Sequence, residues 1–331
     1  MKWCITGGCG FIGSSLIRRL QAMGGQKIRV LDNLSVGSRE DLLQAAPYVE
    51  MDFRSLPEFC DQQVPVVLIV GDIRSQEVLN MSAIGADVMV HLAANTGVQP
   101  SIHDPRRDCE MNVVGTLNAL EAARNAQVGR FVFASSGAPV AGNPPPIHER
   151  VPPRPVAPYG ASKLAGEGYC SAYFNTFGLE TVSLRFGNVY GPYSSHKSSV
   201  VAKFIRTAIA GEKLEIYGDG DQTRDFIYVD DLIDAIWLAA TVNGIGGETF
   251  QVASGAETTI NELAHAMVPL LRGAILEDVE VVHASPLRGD AKRNFADTSK
   301  ISRMLGWSPK VSLTVGLKNT IEWFAKCNSR C

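Results

Sequence analysis

Tyr159 and Lys163 stand at positions i and i+4 of the run Tyr159-Gly-Ala-Ser-Lys163. In a helix the two side chains share one face, about one turn apart. A free tyrosine titrates near ~10 and is a poor base at neutral pH. A neighbouring ammonium favours the phenolate and lowers that value. The pair is therefore suited to taking a proton from a sugar or alcohol hydroxyl. Alone, this spacing is common on solvated helix faces, and its weight comes from the elements around it.

The first of these begins at the N-terminus. Met1-Lys-Trp-Cys-Ile5 reads as a short strand and Ser14-Ser-Leu-Ile-Arg-Arg-Leu20 as a helix. Between them lies Gly7-x-x-Gly10-x-x-Gly13. Strand, glycine turn and helix are the context of a dinucleotide-phosphate site, because glycines let the backbone approach a pyrophosphate at the helix N-terminus. The next apolar run, Lys27-Ile-Arg-Val-Leu31, ends in Asp32. A carboxylate there meets ribose hydroxyls and repels a 2′-phosphate, so the expected cofactor is NAD rather than NADP.

Further apolar runs follow at Val66–Val70, Asp87–Leu92, Arg130–Ala134 and Glu180–Arg185, with helical periodicity at Asn112–Arg124 between two of them. Apolar strands alternating with helices predict an α/β fold with a doubly wound parallel sheet, whose ligands bind at the carboxyl ends of the strands. Asp72, Ala93, Ser135, Ser136 and Asn188 fall on that edge. Prolines cluster at 144–158, a loop expected to wall the cleft. Past residue 190 the pattern is mixed. The expected division is a dinucleotide-binding domain over 1–187, with 226–245 returning to it, and a smaller substrate-binding C-terminal domain over 188–331.

The chain has 331 residues, 45% apolar and 20% charged, with a net charge of −3. This describes an ordinary globular protein with no electrostatic pull toward nucleic acid or an anionic membrane. No window reaches the length of a membrane span, and the glycine motif leaves no room for a signal peptide ahead of it. Seven scattered cysteines without C-x-x-C spacing, and six histidines without a metal pattern, predict reduced thiols, a cytoplasmic location and no metal site.

Several motifs fall in order: Thr6-Gly-Gly-Cys-Gly-Phe-Ile-Gly13, Asp32-Asn-Leu-Ser35, Gly71-Asp-Ile73, His91-Leu-Ala-Ala94, Asn112-Val-Val-Gly-Thr116 and Tyr159-x-x-x-Lys163. They are followed by Leu184-Arg-Phe-Gly-Asn-Val-Tyr-Gly-Pro192, Tyr217-Gly-Asp-Gly, Thr223-Arg-Asp-Phe-Ile-Tyr-Val-Asp-Asp231 and Phe295-Ala-Asp-Thr-Ser-Lys300. Over nearly its whole length the chain resembles the extended short-chain dehydrogenase/reductase family. The likeness is to its nucleotide-sugar branch and, within that, to the UDP-hexose 4-epimerases. The resemblance implies a Rossmann-type sheet and tightly held NAD. It also implies inversion at C4 of a UDP-sugar through a transient 4-keto sugar, and a homodimer paired through two helices per subunit. Tyr159 would accept the O4 proton and Lys163 would bind the nicotinamide ribose.

By the same resemblance the cofactor residues are Gly7, Gly10, Phe11, Ile12, Gly13, Asp32, Asn33, Ser35, Asp72, Ile73, Leu92, Ala93, Ala94, Thr96, Asn112, Phe186 and Val189, with Tyr159 and Lys163. The catalytic serine position admits Ser135, Ser136 or Gly137, because the loop Phe133–Gly142 is one residue longer than usual. Ser136 is the first choice. The family's 4,6-dehydratases carry Asp-Glu after this position and its decarboxylases a Glu, whereas this chain has Gly137-Ala138-Pro139. Substrate residues carried over are Asn188, Val200, Tyr217, Arg224, Arg288 and Asp290, with Asn294 at the gate of the sugar pocket. His196 and Lys197 add positive charge that, with Arg185, offers partners for a hexuronate. UDP-glucuronate 4-epimerisation, another NAD-dependent nucleotide-sugar oxidation and a non-catalytic dinucleotide sensor are the alternatives.

Overall fold

The computed structural model describes residues 1–59, 64–275, 279–286 and 292–328. The strands are β1 (Lys2–Thr6), β2 (Lys27–Asp32), β3 (Val49–Glu50), β4 (Val66–Val70), β5 (Val88–His91), β6 (Arg130–Ser136) and β7 (Thr181–Phe186). Four short ones follow, β8 (Asn188–Tyr190), β9 (Leu214–Tyr217), β10 (Thr223–Arg224) and β11 (Phe226–Tyr228), and then β12 (Glu248–Val252). Eight of them form one parallel sheet in the order β12-β7-β6-β5-β1-β2-β4-β3.

The strands are continuous apolar runs because both faces of the sheet are covered. Alternate residues serve opposite layers. Trp3 and Ile5, Val66 and Leu68 join a core with helices Phe11–Met23 and Val229–Thr241. Cys4, Val67 and Ile69 join a second core with Leu79, Leu120 and Tyr173 from helices Gln76–Ala83, Gly115–Asn125 and Pro158–Phe177. A third core is smaller. Phe204, Ile205, Leu214, Leu263, Met267 and Leu317 pack helices Val200–Ile209, Ile260–Ala274 and Leu313–Asn328 around β9 and its parallel partner Val281–Ala284. The fold is thus α/β, a Rossmann-type doubly wound sheet with a smaller C-terminal helical layer.

β1 pairs with β2 on one side (Trp3↔Ile28) and with β5 on the other (Trp3↔Val88). Crossovers therefore diverge from β1, and a crevice opens beyond its carboxyl end.

Two elements differ from the sequence pattern. β12 is not among the strands read there, since only the second half of Glu248-Thr-Phe-Gln-Val252 is a buried apolar stretch. It pairs with β7 (Phe250↔Leu184) and closes the sheet on that side. Its outer edge is occupied by side chains: the Gln251 N–H donates to Glu149 (2.8 Å), and Lys300 Nζ donates to the Thr249 carbonyl (2.7 Å) and Glu248 (2.6 Å). Secondly, the periodic run after Asn112 does not start as an α-helix. A π-helical turn at Glu110–Val114 precedes helix Gly115–Asn125.

Candidate active site

The glycine turn forms the floor of the crevice. Gly7 has φ +71°, and a Cβ there would lie 2.7 Å from the Ala93 nitrogen. A Cβ on Gly13 would lie 2.4 Å from the Gly7 carbonyl oxygen. Only glycine permits this approach of β1, the turn and helix Phe11–Met23. The helix begins at Gly10 with no side-chain cap, so Phe11, Ile12 and Gly13 present first-turn N–H groups and the positive end of the dipole. This cradle fits a dinucleotide diphosphate.

Asp32 ends β2 beside the turn. Its carboxylate accepts from the Cys9 N–H (2.9 Å) and the Leu34 N–H (2.8 Å). Burial pushes its pKa up, and those two bonds oppose the shift. The expected adenosine-side residues gather here: Asn33 donates to Asp72 (3.2 Å) and accepts from the Ser35 N–H (3.1 Å). Arg74, absent from the sequence reading, clamps Asp72 with two bonds of 3.0 Å and holds its carboxyl below the usual range. Leu92, Ala93, Ala94 and Thr96 follow β5, where the Ala93 N–H reaches Thr6 Oγ1 at 3.3 Å.

Three expected cofactor residues sit differently. Asn112 is 1% exposed, with both ends of its amide engaged inside the protein. It accepts from the Asn95 N–H (2.8 Å) and donates to Asn95 O, Asp108 and Ser162. It braces the loop after β5 against the Tyr159 helix instead of reaching the cleft. Ile73 and Val189 place their side chains in the two large cores, leaving only their backbones to face a ligand.

Helix Pro158–Phe177 brings the catalytic candidates to the end of β6. Proline at its first turn and Gly178 in the left-handed conformation at its end mark its limits. Tyr159 hydrogen-bonds Ser136, and burial pushes its phenol up to about 12. This differs from the expected lowering. Lys163 Nζ lies 5.9 Å from the Tyr159 ring centre and donates instead to the Ala134 carbonyl at 2.8 Å. Burial brings the Lys163 ammonium down to about 8, against the pull of Asp108 and Glu167. Neutral His91, held down to about 3 by burial, lies behind them between Thr6 (2.8 Å) and Thr116 (3.2 Å).

The serine alternatives separate. Ser135 Oγ donates to Glu167 at 2.5 Å, on the face of the sheet that helix Pro158–Phe177 covers. There Glu167 forms a buried two-pronged pair with Arg185 (2.8 and 2.7 Å). Ser136 is the hydroxyl that meets Tyr159, and Gly137 has no side chain to compete.

Beyond Ser136 lies a cavity of about 70 Å³, walled by Ser136, Gly137, Phe186, Asn188, Gln251 and Asn294. Asn294 faces Gly137, whose added Cβ would sit 3.6 Å from Asn294 Oδ1. Asp225, 3% exposed, knots this wall together. It accepts from Ser254 N–H and Oγ (both 2.6 Å), the Gly255 N–H (2.9 Å) and the Ala296 N–H (3.2 Å). Its role follows from three distant segments meeting, which no local pattern signals. Gln251, also missed, is 1% exposed, and among the described residues its Nε2 has no hydrogen-bond partner. Arg224 donates to the Thr223 carbonyl (2.6 Å). Val200 opens helix Val200–Ile209, and Lys203 one turn on donates to the Tyr217 hydroxyl (2.9 Å). Arg288 and Asp290 lie outside the described residues.

None of the cations considered for a hexuronate faces this cavity. Arg185 is bound to Glu167, His196 Nε2 is 3.6 Å from Asp41, and Lys197 donates to the Val189 carbonyl at 2.6 Å.

A family model described as the NAD dependent epimerase/dehydratase family matches residues 3–253. The chain is 37% identical over 329 residues to a UDP-glucose 4-epimerase of Mycolicibacterium smegmatis, covering 98% of each. It is also 33% identical to a dTDP-glucose 4,6-dehydratase of Streptomyces niveus, over 98% of this chain and 93% of that one. The crystal structure of Thermus thermophilus UDP-glucose 4-epimerase in complex with NAD superposes with a TM-score of 0.83 at 35% identity, covering 98% of this chain and 99% of that one. Among the described residues no helix is long and apolar enough to cross a membrane.

Proposed function

The chain belongs to the NAD-dependent epimerase/dehydratase family, and on that premise we propose that it inverts C4 of a UDP-hexose, with UDP-glucose and UDP-galactose or a C2- or C6-modified relative as substrates. NAD, when bound, supplies the hydride acceptor and donor. Ser136 orients O4, and Tyr159, hydrogen-bonded to it, is placed to take and return the O4 proton when the positive charges of Lys163 and of bound NAD favour its phenolate against the burial that otherwise holds the phenol protonated. Lys163 holds positive charge beneath that hydroxyl pair. Asn188 and Arg224 bind the substrate diphosphate, Val200 and Tyr217 flank the base, and Asn294 bounds the sugar.

One observation carries this reading. The wall after Ser136 is Gly137-Ala138-Pro139, so among the described residues the hydroxyl pair is the only acid/base system at the cavity's β6 side. Eliminating water across C5 and C6 needs a further acid and base there. Inversion at C4 needs none. The UDP-glucuronate alternative has less support, since Arg185 and His196 face carboxylates and Lys197 does not line the cavity.

Within the same proposal, residues 1–187 with 226–245 bind the cofactor, and the rest of 188–331 binds the nucleotide sugar. Two copies pair through helices Gly115–Asn125 and Pro158–Phe177, where Tyr169 and Phe177 are exposed. The test is incubation with UDP-glucose, UDP-N-acetylglucosamine, UDP-glucuronate and dTDP-glucose, followed by separation of products. C4 epimers of a UDP-hexose, formed without net change at the nicotinamide absorbance band, are expected. A 4-keto-6-deoxy product, or consumption of added cofactor, would sink the reading.

A further inference from the structure

The segment between β8 and helix Val200–Ile209 crosses from the C-terminal layer to the glycine turn and is fastened along its length. Arg206 Nη1 donates to the carbonyls of Ser195 and Lys197, both at 2.7 Å. Tyr193 lies between the Arg18 guanidinium (3.4 Å) and the Trp323 ring (4.8 Å). Arg18 belongs to the helix that begins at Phe11. His196 reaches Asp41, in the helix that follows β2.

This strap delivers Lys197 to a specific place. Its Nζ sits 5.1 Å from the Phe11 ring and donates to the neutral carbonyl of Val189 at 2.6 Å. Among the described residues no carboxylate pairs with it, and burial alone brings the ammonium down to about 8. A cation drawn out of water without a counter-ion is costly unless an anion is expected beside it. The neighbouring feature is the uncapped start of helix Phe11–Met23, which itself favours anions.

We infer that Lys197 is a diphosphate-binding residue, carried across the cleft by the 193–197 strap to hold the phosphates of NAD at the glycine turn. The C-terminal layer then takes part in retaining the cofactor as well as in binding substrate. The ammonium acts as a point charge against the phosphate oxygens. It adds to the backbone N–H groups a charge they lack.

The test compares wild type with K197M and K197R as full-length proteins. Bound NAD per chain is measured after heat release, and stripped protein is titrated calorimetrically with NAD and separately with UDP. K197M should bind NAD at least about tenfold more weakly, the scale of one charge-assisted hydrogen bond. K197R should retain most of the affinity, and UDP affinity should be unchanged in both. Unfolding of the stripped proteins checks that they fold alike, and K197Q replaces K197M if it does not. Unchanged NAD affinity in the folded, uncharged variant overturns the inference. So does loss of UDP binding with NAD binding intact, which would assign the ammonium to the substrate's diphosphate. Because the readout is binding, a protein that holds NAD but epimerises no UDP-sugar would refute the proposed function and leave this inference standing.

Discussion

Around the glycine turn a single added carbon has nowhere to go, because a Cβ on Gly13 falls 2.4 Å from the Gly7 carbonyl oxygen. Across the cavity beyond Ser136 the same carbon on Gly137 meets Ile147 at 3.5 Å and Asn294 at 3.6 Å, ordinary van der Waals contact. The proposed cofactor region is built from backbone, with N–H groups, a helix dipole and close strand approach. The proposed sugar region is built from side chains that β6, β7, β12 and the Asp225 knot present to one another. Backbone recognition tolerates almost no change, whereas side-chain recognition can be retuned one residue at a time. A family can keep its cofactor and change its sugar when the two tasks are divided in this way.

The largest effect should fall where the regions meet. Tyr159→Phe should lower turnover by roughly two to four orders of magnitude while leaving NAD bound, as for loss of a positioned acid/base. Normal turnover measured with product separation would remove Tyr159 from the chemistry. Gly13→Ala should cost the cofactor region about 1–3 kcal/mol through overlap, seen as loss of co-purifying NAD and a lower unfolding temperature. Full NAD content would show that the turn can yield.

Lys163 sharpens the comparison through pH. Its ammonium, brought to about 8, loses its proton as pH rises through that value, well before the phenol at about 12. Turnover should therefore fall above pH about 8. Lys163→Met should abolish that limb and weaken NAD binding by about tenfold. A falling limb that persists in the variant would belong to another group.

In the sugar region, Asn294→Tyr should suppress turnover of UDP-N-acetylglucosamine, where the wild type has any, more than that of UDP-glucose, by on the order of tenfold or more through overlap. Equal losses on both would show that Asn294 does not bound the sugar. Gly137→Ala should change NAD content and UDP-glucose turnover by less than about threefold, the scale of one methyl in ordinary contact. A Gly137→Ala defect matching that of Gly13→Ala would erase the distinction between the regions.

Legibility in the sequence follows the same division. The turn, Asp32 and the Tyr159–Lys163 pair are readable because each is a local pattern with one structural context. Ser136 is resolved from Ser135 only by the sheet, since alternate residues of β6 serve opposite faces. The raised phenol of Tyr159 is not legible, because it depends on burial that only the fold sets. Asn112 reads as a ligand by motif, yet its amide is consumed by Asn95, Asp108 and Ser162. The position of Lys197 against Phe11 joins segments far apart in the chain, and no spacing rule encodes it.

The rim of the sheet also bears on how the molecule survives at high concentration. A terminal strand exposes a row of backbone donors and acceptors that another chain can copy, the usual start of edge-to-edge aggregation. On β12 the Glu149 carboxylate and the Lys300 ammonium already occupy a donor and an acceptor of that row, and on the other side β3 is two residues long beside an Arg39–Glu50 ion pair. An incoming strand would have to displace charged groups from one rim and would find almost no template on the other. Copies of the protein are thereby steered away from sheet extension.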